Sequence, residues 1–328
     1  MTLKLSVLDQ SISHDRNSTQ QAFANTVEMA QRCEELGYER FWVSEHHGFP
    51  VIAGSAPEIL ISAIGAVTKR IRLGSGGIML PHYSPYKVAE AFSVLSNLYP
   101  NRIDLGVGRA PGTDMVTAKA LATDGKPKFE KFPELVSSLM NHLWQDSSTP
   151  LVSPKPQPNL PIWMLGSSPE SAILAAELGL PYNLAAFINP QVDPKFIEIY
   201  KRHYKPSEQY PEPYCVLTIG AFCAETEHIA QALRLNFDTT FYLYITGQRR
   251  DGFLTPQETQ TMDVSAELSA FIKGRDALRA VGNPEQVRDQ INILAQRFDV
   301  DEIMMVSNTY YLEDRKRSFE LIREAFPV

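Results

Sequence analysis

The sequence predicts an α/β fold, a (β/α)8 TIM barrel with insertions, on three observations. Short apolar runs alternate with helical patterns through eight units in 328 residues. Each run is apolar almost throughout, as a parallel strand covered on both faces must be. The residues that break the pattern collect just after the runs, where a barrel keeps its active site. A doubly wound open sheet is the alternative architecture for the same alternation.

The first unit is "LKLSVL" and a helix from about Ser18. Ser18 and Gln21 form a capping-box signature, Phe23, Val27, Ala30 and Cys33 fall on one face, and Gly37 is the stop. "RFWVS" follows with a helix after Pro57, then "RIRLGSGGIML" with a helix after Pro85, then "RIDLGVG". Prolines at these places suit the first helical turn, whose N–H groups have no partner inside the helix. The second half continues with "PIWMLG" and a helix from Pro169, "YNLAAF" and a helix near Phe196, and "YCVLTIGAF" and a helix near Ala230. A helix opening at Asn283-Pro284, with Val287, Ile291, Leu294 and Phe298 on one face, leads into "DEIMMVS" and a terminal helix. Two segments interrupt the rhythm: the proline-rich "DSSTPLVSPKPQPNLP" and the polar stretch 247–274. Long segments of this kind in a compact domain are either active-site lids or surface excursions. The chain therefore reads as one domain, 1–328, with a candidate mobile insertion at 247–274.

Composition limits the function. With 44% hydrophobic and 21% charged residues the chain is expected to be a soluble globular protein. A net charge of −7 argues against broad contact with nucleic acid or anionic membrane, so small molecules are the expected partners. No leader pattern and no apolar run near the ~20 residues of a membrane span is visible, and the expected location is the cytoplasm. Cys33, Cys215 and Cys223 lack CxxC spacing and read as buried thiols.

At the strand ends stand Asp9, then Glu45-His46-His47, Gly76-Gly77, Gly108-Arg109 and Gly166-Ser167-Ser168. In "LGSSPESA" Ser168 caps a helix with Pro169 at its first position, which leaves N–H groups and a favourable dipole facing an anion. Arg109, beyond small residues on the neighbouring strand, adds a guanidinium suited to phosphate oxygens. Together they suggest a phosphorylated cofactor. Neither a GxGxxG nor a Walker sequence is present, so a dinucleotide or a nucleotide triphosphate is poorly supported. Gly76-Gly77, in an otherwise strongly β-forming run, marks a bulge, a close approach of backbone to a flat ligand, or a tight bend at the rim. The two histidines fit three roles at this point: metal ligands, an acid/base centre, or buried hydrogen-bonding groups.

"SEHHGFP", "GSGGIMLPHYSP", "RIDLGVGRAPGTD", "PIWMLGSSPESA" and "DEIMMVS", in this order, resemble the bacterial luciferase-like flavin monooxygenases, especially their single-chain, non-luminous branch, from Leu3 to about Phe326. The resemblance implies a barrel that is usually dimeric and binds FMN or reduced FMN at the strand carboxyl ends. It implies that Arg109, Ser167, Ser168 and Ser171 hold the FMN phosphate, with Asp9 among the cofactor-binding residues. Gly76-Gly77 matches the place of a non-proline cis peptide beneath the isoalloxazine ring. Glu45 and His46 match the relatives' site pair, His46 at the position of the catalytic histidine. Gly108 stands where luciferases carry a cysteine, so behaviour that depends on that thiol is not transferred.

A metal site at His46 and His47 is disfavoured, because neighbours on a strand point to opposite sides and no further ligand cluster is visible. His47 is expected to be structural and His46 to face the pocket, moving a proton near neutral pH with Glu45 orienting it or binding elsewhere in the site. The expected activity is an FMN-dependent monooxygenation: reduced FMN and O2 deliver one oxygen atom to a small organic substrate, an aldehyde-like compound among the options, with a separate flavin reductase as supplier. A deazaflavin-dependent reductase on the same barrel and a flavin-binding protein without turnover are the competing readings.

Overall fold

The computed structural model describes residues 3–327 except 123, 146–148, 159 and 250. Its strands are β1 (Lys4–Asp9), β2 (Arg40–Val43), β3 (Arg72–Met79), β4 (Ile103–Gly108), β5 (Ile162–Gly166), β6 (Tyr182–Ala185), β7 (Cys215–Cys223), β8 (Arg279–Gly282) and β9 (Glu302–Val306). All pair in parallel. Each of β1 to β6 pairs with the next, β7 pairs with β9, and β9 returns to β1, so eight strands close a barrel and no open-sheet edge remains between them. The eight barrel strands are the eight apolar runs of the sequence. β8 is an addition the sequence reading misses. It is four residues long and pairs only with the far half of β7, Gly220–Cys223, outside the ring.

The helices are α1 (Thr19–Leu36), α2 (Pro57–Val67), α3 (Pro85–Leu98), α4 (Met115–Leu121), α5 (Phe132–Trp144), α6 (Pro169–Glu177), α7 (Lys195–His203), α8 (Glu227–Ile245), α9 (Pro256–Thr261), α10 (Ala266–Lys273), α11 (Pro284–Phe298) and α12 (Leu312–Ala325). The starts at Pro57, Pro85, Pro169 and Pro284 are those expected, and α11 carries a complete Asn283/Gln286 capping box over a buried face of Val287, Ile291, Leu294 and Phe298. α1 departs from expectation at its start. The Ser18 hydroxyl makes no cap bond and donates to Asp15 Oδ1 instead, while Gln21 bonds Asn25. Its buried face is Ala22, Thr26, Met29, Ala30 and Cys33, and Phe23 is exposed. A carboxylate three residues before Ser18 is the better partner for the loop, and the face turns by one position. Gly37, at φ 76°, ends the helix as predicted.

The main core lies between the barrel's outside and the helices, and includes Phe41, Leu73, Phe92, Tyr182, Phe298 and Phe319. The barrel's inside holds a smaller apolar layer of Leu8, Trp42, Trp163, Val216, Met304 and Val306. Beneath it, toward the strand amino ends, sits a buried ionic layer. Arg40 grips Glu302 with two N–H groups at 2.8 and 3.0 Å and Asp104 with a third at 2.8 Å. Arg72 and Trp42 also donate to Asp104, and Tyr214 donates to Glu302 at 2.8 Å. Burial pulls the Arg40 guanidinium toward losing its proton, but Glu302 and Asp104 hold it above its ordinary value. Burial likewise raises Asp104, and Arg40 and Arg72 outweigh it and hold the carboxyl below its ordinary range.

The two interrupting segments behave differently. The proline-rich stretch, of which residues 146–148 and 159 lie outside the described residues, runs along α3: Leu151 O accepts from Tyr86, Lys155 O from Asn97, and Gln157 N–H donates to Ser96. It lies along the outside of α3, and none of its described residues lines the cavity described below. The polar stretch 247–274 carries α9 and α10 and packs on α8 through buried Phe253, Leu254 and Leu268, with Asn236 donating to Leu254 O and Thr259. No helix of the described residues is long and apolar enough to cross a membrane.

Candidate active site

A cavity of about 560 Å³ opens at the carboxyl ends of β3 to β7. Gly76, Gly77, Arg109, Ser167, Ser168 and Ser171 all line it. The sequence separates these residues by as many as 95 positions, and the barrel brings them to one wall because consecutive parallel strands all end at the same face.

At one end lies the start of α6. Ser168 and Ser171 form a reciprocal cap, and the Ser171 hydroxyl also donates to Ser168 O and meets Tyr182 Oη at 2.9 Å. Ser171 is thus tied into the helix start. Gly166 makes this possible, since a Cβ there would lie 2.1 Å from Ser171 Oγ. Arg109 is exposed on the same wall, and its guanidinium has no hydrogen bond or ion pair among the described residues. The Glu170 carboxyl is held below its ordinary value, first by the Ser168 hydroxyl, then by its own N–H, with Arg109 adding to them. A helix start and a cation therefore already favour negative charge here.

At the other end the wall is backbone. The Gly76–Gly77 peptide is cis, and the register between β3 and β4 shifts between Ser75 and Ile78, the bulge expected from the glycine pair. A Cβ on Gly76 would lie 2.6 Å from Leu8 Cδ1, and one on Gly77 would lie 2.2 Å from Leu165 Cδ1 and 2.8 Å from Gly106 O. Neither position has room for a side chain, because Leu8, Leu165 and the β4 backbone pack directly against the glycines. Leu8, Trp42, Met79, Leu165 and Phe187 supply the apolar remainder, and Asn183 and Thr218 supply polar groups from β6 and β7. The sequence reading names none of these lining side chains. The available signal was a polar residue inside a nearly continuous apolar strand, as in "YNLAAF" and "YCVLTIGAF".

The remaining expected site residues lie off this wall. Asp9 is buried, and its carboxylate accepts from Ser11 N–H at 2.7 Å, Thr26 at 2.9 Å and Arg315 at 2.7 Å. It ties β1 to α1 and α12 and does not line the cavity. Glu45 is also buried. It accepts from Met79 N–H at 3.0 Å and Tyr83 at 2.7 Å, and pairs with His47 Nε2 at 2.8 Å. Glu45 therefore holds His47 rather than His46. In an extended segment residues two apart share a side and the one between faces away. His46 stands opposite, its Nδ1 3.1 Å from Ser44 Oγ and its ring edge-on to Phe49, which leans on Tyr244 of α8. Burial, and then the neighbouring His47, push the His46 imidazole down to about 4. That environment favours the neutral imidazole. Among the described residues no three His, Cys, Asp or Glu side chains group as a metal site.

Comparison with known proteins bears on this arrangement. Residues 3–300 match the family model described as luciferase-like monooxygenase. The chain is 34% identical over 333 residues to a luciferase-like monooxygenase of Escherichia coli strain K12, covering 98% of this chain and 96% of that protein. It is 33% identical over 331 residues to an N-acetyl-S-alkylcysteine monooxygenase of Bacillus subtilis strain 168, covering 98% of each. The crystal structure of apo-MsnO8 superposes with a TM-score of 0.92 at 36% identity, covering 99% of this chain and 98% of that one. With a closed barrel, a cavity at its strand carboxyl ends and a match along most of its length, the chain belongs to the luciferase-like monooxygenases, a family of flavin-dependent enzymes.

Proposed function

We propose that this protein is an FMN-dependent monooxygenase that takes reduced FMN and O2 and places one oxygen atom on a small organic substrate. The observation that carries the reading is the make-up of one cavity: an unpaired arginine and a helix start on its wall, together with an apolar lining of Leu8, Trp42 and Leu165 packed on the Gly76-Gly77 backbone. A phosphate on a flat ring system suits that make-up. Arg109, Ser167 and the free N–H groups of α6 would hold the phosphate, Ser171 keeps that helix start in shape, and the lining over Gly76 and Gly77 would take the ring. When bound, reduced flavin supplies the electrons that activate O2. The chain's own task is to orient it and to keep bulk water out, through Leu8, Trp42, Leu165 and Phe187. His46, set just outside that wall beside Ser44 and Phe49, is the acid/base candidate of this reading, while Glu45, His47 and Tyr83 brace the end of β3.

Reduced FMN comes from a separate flavin reductase in this reading, because the sequence carries no dinucleotide fingerprint of its own. Carboxylated thioethers head the substrate panel, on the strength of the name of the Bacillus relative, followed by aldehydes. The three buried, unpaired thiols suit the cytoplasm. A homodimer is the assembly expected in this reading, and a monomer by sedimentation at micromolar concentration would refute it.

FMN should bind much more tightly than riboflavin, and oxygen uptake with reduced FMN should rise on adding the right substrate. Equal affinities for FMN and riboflavin would remove the phosphate site, and the reading with it. Oxygen uptake that no substrate alters would leave a flavin carrier.

A further inference from the structure

Asn183 is a buried amide on the cavity wall, midway along β6. Its Oδ1 accepts from the Thr218 hydroxyl of β7 at 2.6 Å, and its Nδ2 faces Met304 Sδ of β9 at 3.6 Å. Chemistry fixes this orientation. Turning the amide over would set its oxygen against a thioether that can only accept, while the threonine hydroxyl serves either way round. The amide nitrogen carries two hydrogens. One has the weak sulfur acceptor, and the other has no acceptor among the described residues. Thr218 lines the cavity beside Asn183. A strand position otherwise filled with apolar side chains thus carries a pre-oriented donor with spare capacity on the cavity wall.

Resting on the flavin reading above, we infer that the Asn183 carboxamide, held in place by Thr218, donates a hydrogen bond to an acceptor on the ring of the bound flavin. The assignment gives the cavity two independent handles. Arg109 and α6 read the charged tail, and Asn183 reads the ring. A ligand that satisfies both is phosphorylated and carries carbonyl or imine acceptors on a flat heterocycle. A ring whose edge lacks those acceptors leaves the amide hydrogen unpaired in a buried site and is rejected for that reason.

The two handles are separable in the intact protein. Asn183→Leu, close in volume and without a donor, should weaken FMN and riboflavin by the same factor, about threefold to tenfold for one neutral hydrogen bond. Arg109→Ala should weaken FMN alone. Titrating each flavin by fluorescence quenching reads both, and Thr218→Val should give a smaller loss of the same kind. Asn183→Leu protein that folds and binds riboflavin as tightly as the parent overturns the inference while leaving the phosphate site standing. Where Asn183→Leu does not fold, the parent protein decides. FMN analogues with a ring carbonyl replaced by thiocarbonyl, a poorer acceptor, should bind more weakly than FMN for at least one ring position. Equal binding of FMN and both the 2-thio and 4-thio analogues refutes the ring donor. Should the parent fail to prefer FMN over riboflavin, the phosphate reading falls, and the riboflavin comparison still tests Asn183.

Discussion

Arg40 and Arg109 lie at opposite ends of the same barrel, and their surroundings are opposites. Arg40, 4% exposed, has two carboxylates on three of its N–H groups and the Trp163 ring 4.7 Å from its guanidinium carbon. Arg109 is exposed and has no protein partner among the described residues. A charge taken out of water must be paired where it sits, so the ionic layer at the strand amino ends can only be structural. A charge left unpaired over an open helix start is available to something else. The two ends show the division of labour in this architecture: one end holds the strands together, and the other is free to vary and bind.

Breaking the closed end should have the largest effect. Arg40→Met strands Glu302 and part of Asp104 without their cation and should cost about 3–5 kcal/mol of stability. Urea unfolding measures it, and a loss under 1 kcal/mol would mean the layer is hydrated and tolerant, contrary to its burial. FMN affinity of the protein that remains folded should be unchanged.

At the mouth, His46→Ala should leave folding and FMN binding intact and lower turnover by about a hundredfold, near the lower end of what acid/base groups contribute. His47→Ala should instead cost about 1–3 kcal/mol, because it removes a partner of buried Glu45. The His46 shift also has a pH consequence whose sign can be worked out. Its folded value near 4 lies below the ordinary 6.5, so between those values the unfolded chain takes up a proton that the folded protein refuses. Stability from this group is full above about 6.5, is lost as pH falls toward 4, and falls no further below that. Unfolding free energy of His46→Gln should therefore drop less between pH 7 and pH 4.5 than that of the parent. Turnover of the parent should show no inflection near 6.5 belonging to His46. An inflection there that vanishes in His46→Gln would show the imidazole to be more solvated than its packing implies.

Arg109→Ala sharpens the contrast from the open end. FMN binding should weaken by about tenfold to a hundredfold, the range for losing charged hydrogen bonds, and thermal stability should stay within about 0.5 kcal/mol. A clear stability loss would mean that Arg109 is a structural residue like Arg40.

The smallest effect concerns the insertion. Because Arg275, just past α10, donates to Phe187 O on the cavity wall, saturating FMN should slow proteolytic cutting in 247–274 by a few-fold. An unchanged rate removes the lid role, and the segment is then a packed excursion anchored by Phe253 and Leu254.

Much of the architecture was legible along the chain. Eight apolar runs were the eight barrel strands, the prolines at 57, 85, 169 and 284 opened helices, and Gly76-Gly77 marked a bulge. These features depend on a residue and its near neighbours, which is the range over which pattern and propensity act. Ser18 failed as a cap because Asp15, three residues back, competed for its hydroxyl. β8 escaped notice because four residues carry too little periodicity to stand out.

By itself, then, the sequence determined the barrel and the identity of the groups at its strand ends, since strand alternation, helix starts and glycine conformations are local properties. Only the tertiary structure decided which of those groups share a wall. Arg109 and Ser167 meet there, Asp9 is drawn off by Arg315, Glu45 turns to His47, and Asn183 and Thr218 enter from strands that read as plain core. The reason is physical. A carboxylate or an amide is silent about its partner until distant strands close around it, and burial then sets both which hydrogen bonds form and, as at His46, which proton is held.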